Sequence, residues 1–82
     1  MNFDTEIHIM CENIKRLRII SHLSKKEMAN KLKISVKALT FIENGILPER
    51  LSCTILFNIY RNFGIHPKDI LSKIISLDGY IK

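Results

Sequence analysis

Between Ser24 and Lys37 the sequence sets five lysines, Lys25, Lys26, Lys31, Lys33 and Lys37, against a single acid, Glu27. Ser24 and Ser35 stand where two apolar-periodic runs begin in that stretch. A serine at a helix start lies beside unsatisfied backbone amides and the positive end of the helix dipole, and a neighbouring ammonium adds a full charge. The chemistry on offer is non-covalent anion binding, and a phosphate at Ser24 and Lys25 is the first candidate.

Nothing in the sequence adds bond-making chemistry. His8, His22 and His66 are scattered, and with Cys11 and Cys53 they form no compact metal-ligand spacing. There is no glycine-rich phosphate loop, no paired-carboxylate constellation and no serine elbow. Neither an enzyme, a metal site nor a cofactor is expected. The two cysteines lie 42 positions apart with no secretion signal before them, which predicts reduced thiols used in packing.

With 82 residues, 46% hydrophobic and 26% charged, the chain has the composition of one folded domain rather than of a disordered segment. Residues 1–82 are read as a single unit, with a core from about 5 to 75 and a tail from 76 to 82 that is either frayed or paired with a partner. On the usual per-residue scale its stability is about 4 to 12 kcal/mol. The longest apolar runs are three residues, Ile9 to Cys11 and Ile55 to Phe57, far short of the roughly 20 a membrane span requires. A soluble, cytoplasmic protein with no membrane partner is expected. The formal charge is +5. Residues 23–50 carry six bases against three acids, whereas residues 1–22 balance at three of each. The anionic partner therefore belongs to the middle of the chain.

The elements that would position these groups are helical throughout. Phe3, Ile7, Met10, Ile14 and Leu17 form one stripe, predicting a first helix from about Thr5, as N-cap, to Ser21. Ser24 followed by Glu27 reads as a capping box that opens a helix from Lys25 to about Leu32. Ser35 caps a third, with Leu39 and Ile42 inward and Gly45 as its stop. Gly45 to Leu51 reads as a loop. Ser52 is the expected cap of a fourth helix with Ile55, Leu56, Ile59 and Phe63 inward, ending at Gly64. Pro67 suits the first turn of a fifth, which buries Ile70, Leu71 and Ile74. The fold class is all-α.

Two short capped helices separated by about three residues describe a helix-turn-helix. From Met10 to Leu71 the chain resembles the Cro and phage-repressor (XRE-like, lambda-repressor-like) domains, through NIKRLR in helix 1, LSKKEMANKL in helix 2, ISVKALTFIENG in helix 3 and LFNIYRNFGIHPKDIL in the closing helices. The resemblance implies a five-helix DNA-binding domain whose third helix enters a major groove. By that resemblance Lys25 matches a backbone-contacting position, and Ser35, Val36, Lys37, Thr40 and Phe41 meet base edges and nearby phosphates. It further implies an ion pair between Arg18 and Glu43 that fixes helix 3 against helix 1. Asn44 and, in the loop, Arg50 could reach the far phosphates. The sequence departs from the family where Val36 and Phe41 replace polar residues, where Lys33 takes the usual glycine turn position, and where the Gly45 loop is about two residues longer.

The function this implies is a sequence-specific transcriptional regulator, acting as a repressor on double-stranded DNA. A homodimer on a palindromic operator is expected, with Ile75, Leu77, Tyr80 and Ile81 as candidate dimer surface and no small-molecule effector. Two rivals share the scaffold. One is a protein-interaction or antirepressor module that uses Val36 and Phe41, and the other is the DNA-binding antitoxin of a toxin pair.

Overall fold

The computed structural model describes residues 3–74. In order they form α1 (Phe3–Ile20), α2 (Lys25–Leu32), α3 (Val36–Glu43), a 3-10 turn (Glu49–Leu51), α4 (Ser52–Phe63) and α5 (Pro67–Ser72). Among the described residues there are five α-helices and no strand, so the all-α reading stands. None of these helices is long and apolar enough to cross a membrane. The tail residues Ile75, Leu77, Tyr80 and Ile81 and the Phe3 side chain lie outside the described residues.

The inward stripes meet in one core. Met10, Ile14 and Leu17 of α1, Met28, Ala29 and Leu32 of α2, Leu39 and Ile42 of α3, Ile55 and Ile59 of α4, and Ile70 of α5 are buried together. Helix α1 packs on α3 and α5, and α2 lies between α3 and α4. Ala29 is 2% exposed, and its small side chain permits the close approach of the helix pair it belongs to.

Local chemistry sets the helix starts. Ser24 Oγ accepts from the Glu27 amide at 3.1 Å while the Ser24 amide donates to Glu27 Oε1 at 2.8 Å, a complete capping box. Ser35 Oγ accepts from the Ala38 amide at 3.0 Å. Pro67 occupies the start of α5, where its missing N–H costs nothing.

The first three helices end alike. After α1, His22 (φ 57°) leads to a Leu23 amide bonded to Arg18 O at 3.1 Å. After α2, Lys33 (φ 61°) leads to an Ile34 amide on Ala29 O at 3.0 Å; after α3, Gly45 (φ 92°) leads to an Ile46 amide on Phe41 O at 2.9 Å. Each is a Schellman motif, whose left-handed residue turns the chain sharply and satisfies carbonyls of the last turn. Lys33 thus adopts the left-handed geometry that a glycine would take without strain.

Two buried asparagines join helices distant in sequence. Asn13, fully buried in α1, donates through Nδ2 to Ile70 O at 2.8 Å and to Lys73 O at 2.5 Å, fastening the end of α5. Asn58 of α4 donates to Leu32 O at 3.1 Å, closing the end of α2. A buried carbonyl without a donor would cost about 1 to 3 kcal/mol, so these amides are structural.

Four expectations are corrected. Thr5 is not the cap of α1, which already includes Phe3; Glu6 still falls in the first turn, where an acid is favourable, so the earlier start loses nothing there. Ser52 is the first residue of α4, not its cap: the 3-10 turn feeds straight into the helix, with the Leu51 amide on Pro48 O at 3.0 Å. Cys53 is exposed, unlike the buried Cys11, because it falls about 200° around α4 from the buried Ile55. Ile74 is 48% exposed, since α5 ends at Ser72 and Lys73 is extended.

Candidate nucleic-acid interface

Helix α3 carries most of the candidate residues on one side. At 100° per residue, Val36, Lys37, Thr40, Phe41 and Asn44 fall within an arc of about 140°, opposite the buried Leu39 and Ile42. Lys37 and Asn44 are exposed, Thr40 is half-buried, and Val36 and Phe41 are 42% and 43% exposed. Neither apolar residue is buried against α4. Phe41 occupies the Schellman position whose partner is Ile46, itself 58% exposed, so an apolar step ends the arc.

The polar atoms of the arc are partly committed. Thr40 Oγ1 donates to Val36 O at 3.0 Å, so its oxygen is left as an acceptor. Ser24 and Ser35 each accept a backbone amide; the Ser35 hydroxyl keeps its own O–H to donate to an outside acceptor such as phosphate, whereas the Ser24 hydroxyl faces the Glu27 carboxylate. The start of α2 is occupied, as the capping box requires. The Glu27 carboxylate occupies the Ser24 amide, and that bond together with the Ser24 hydroxyl holds its pKa below the usual glutamate range. An anion arriving at Ser24 therefore meets a resident carboxylate, and Lys25, exposed, carries the attraction there.

The single acid of α3 is neutralised. Arg18 Nε donates to Glu43 Oε2 at 2.7 Å and Nη2 to Oε1 at 3.1 Å, while Nη1 reaches Leu23 O at 3.2 Å. The side chains are 18% and 6% exposed, respectively. The carboxylate bond pushes the guanidinium pKa still higher, so Arg18 stays charged at any ordinary pH. With Glu43 engaged, the outward arc presents Lys37 and no free carboxylate.

An open cleft of about 450 Å³ between α2 and the start of α3 is lined by Lys26, Glu27, Ala29, Asn30, Ile34, Ser35 and Val36. It joins Ser35 and Val36 to the flank of α2. Arg50 stands exposed in the 3-10 turn, between α3 and α4 rather than on the arc. Among the described residues no group of three His, Cys, Asp or Glu side chains lies together to hold a metal. Sequence reasoning missed Asn13 and Asn58. The signal for Asn13 was its place on the apolar stripe, three residues after Met10 and four before Leu17, where an amide has to find a buried partner.

No family model, curated protein or solved structure matches the chain.

Proposed function

We propose that the protein is a DNA-binding transcriptional regulator of the Cro and phage-repressor helix-turn-helix type, acting as a repressor in the cytoplasm, with α3 as its reading helix. The observation that carries this reading is the outward arc of α3: Lys37 exposed, the one acid tied to Arg18, and the opposite side locked into the core. Lys25 and Lys37 would neutralise phosphates, Asn44 and Arg50 would hold the far wall of the groove, and Val36 and Phe41 would meet thymine methyl groups. Repression follows from occupying the groove that a competing protein needs. A homodimer would read two half-sites about 34 Å apart, in successive major grooves on one face of the duplex.

The second reading, a protein-interaction module, draws on the exposure of Val36 and Phe41. Selection of bound sequences from a random duplex library, with binding then measured across salt, decides between them. A palindromic consensus with a steep salt dependence supports DNA reading. Absence of enrichment, with partner binding that is insensitive to salt, overturns it.

A further inference from the structure

A second cleft, of about 350 Å³, opens on the other flank of α2 and is lined by Asn30, Lys31, Lys33, Asn58, Arg61 and Asn62. No residue of α3 belongs to it. Asn58, Arg61 and Asn62 follow at the helical spacing that sets them on one face of α4. The Schellman turn after α2 adds Lys33.

Its electrostatics are one-sided. Three of the six lining residues are cationic and none is acidic. Lys33 and Arg61 enter no ion pair among the described residues, and Lys31 stands one turn from Glu27, whose carboxylate is already held by Ser24. The carbonyls that would make the end of α2 negative are covered: Asn58 Nδ2 donates to Leu32 O at 3.1 Å, and Asn62 Nδ2 to Lys31 O at 3.2 Å. The asparagines therefore offset part of the negative potential of those carbonyls, and three like charges line one concave space.

We propose that this α2–α4 cleft is a phosphate-binding site, separate from the α3 arc, which takes adjacent phosphoryl groups of a polyphosphate or of a nucleic-acid backbone. Phosphates fit better than an acidic protein segment because every lining residue is polar, while protein interfaces centre on apolar anchors. They fit better than a lone carboxylate because several charged oxygens can engage an arginine fork and two ammonium groups together. The inference does not depend on what α3 reads.

The test is an amide NMR titration of the intact chain with inorganic tripolyphosphate at fixed ionic strength, repeated on a Lys33→Asn, Arg61→Gln double variant. Asparagine tolerates the left-handed backbone at 33, so the fold is kept. Saturable shifts at the Lys33 amide and the Asn58 and Asn62 side chains, weakened about tenfold or more in the variant, are expected. Shifts that do not saturate, that spread equally to Lys25 and Lys37, or that persist in the variant overturn the proposal. So does a polyglutamate peptide that saturates the same amides more tightly than tripolyphosphate. A random-sequence duplex identifies the source. If the double variant lowers its log–log salt slope by about 1.8, the phosphates are those of a nucleic-acid backbone; if the slope is unchanged while tripolyphosphate still binds, the ligand is a free polyphosphate.

Discussion

Arg18 and Glu43 form a two-point ion pair, Nε to Oε2 at 2.7 Å and Nη2 to Oε1 at 3.1 Å, between the end of α1 and the end of α3. Because Nη1 also reaches Leu23 O, the same guanidinium ties the α1–α2 turn to α3. The guanidinium thus adds a polar tie to the apolar packing of Leu39 and Ile42 that seats α3. A lysine could neutralise Glu43 but could not make the fork.

Removing the acid strands a half-buried guanidinium. Glu43→Gln is expected to cost about 3 kcal/mol, a large share of a stability of about 4 to 12 kcal/mol, and Arg18→Lys about half of that loss. Urea unfolding of the three proteins checks it. A Glu43→Gln midpoint equal to wild type would mean that packing alone holds α3.

Asn13 links α1 to the end of α5, bonding Ile70 O and Lys73 O, 57 and 60 residues away. Asn13→Ala removes the donors and leaves a small void, for an expected loss of about 2 to 4 kcal/mol. Hydrogen exchange gives the sharper readout: amides of α5 should lose protection ahead of those of α2 and α3. Uniform loss across all helices would instead make Asn13 a general core residue.

At Lys33 the left-handed backbone (φ 61°) is borne by a branched-free but Cβ-bearing residue. Lys33→Gly is expected to stabilise the fold by about 1 kcal/mol, since the strain removed outweighs the added freedom of the unfolded chain. Thermal unfolding measures this, and a lower midpoint would show that the glycine entropy wins.

How much was legible in the sequence depends on how local each determinant is. The starts of α2 and α3 were readable because Ser24 with Glu27, and Ser35, act within one turn, while the left-handed turn at Lys33 was implied only by the resemblance, which has a glycine at that position. The start of α1 and the junction before α4 were not. Thr5 and Ser52 have the right side chains for caps, but one helix already begins at Phe3, with Glu6 still well placed in its first turn, and a preceding 3-10 turn supplies the entry to the other. Asn13 and Asn58 were illegible for a different reason: their partners are carbonyls 57 and 26 residues away, and a single sequence does not say which carbonyl a buried amide will meet. On the outward arc of α3, periodicity gave the side, while the exposure of Phe41 needed the neighbouring packing.

The capping box makes stability depend on acid. Glu27 is held below its usual pKa, first by the Ser24 amide and then by its hydroxyl. A carboxyl with a lowered folded pKa contributes stability above its unfolded pKa and loses it as pH falls through the folded value. Glu27→Gln accepts the same bond without a titrating charge. The difference in thermal midpoint between wild type and Glu27→Gln should therefore be present at neutral pH and vanish once the solution is more acidic than the depressed glutamate pKa. A difference that is constant down the acid limb would assign the effect to shape rather than charge.

Lys37 and Phe41 lie one turn apart on the outward arc and should fail in different ways. An ammonium that neutralises a phosphate acts on every sequence alike, so Lys37→Ala should weaken all duplexes and lower the log–log salt slope by about 0.9. An aromatic face against a thymine methyl acts at one base pair, so Phe41→Ala should leave that slope unchanged and reduce discrimination there by about tenfold. Binding of the selected duplex and of one carrying that single exchange, each measured across salt, separates the two. If Phe41→Ala changes neither affinity nor preference for DNA, the apolar end of α3 belongs to a protein contact, even where Lys37 still meets phosphate.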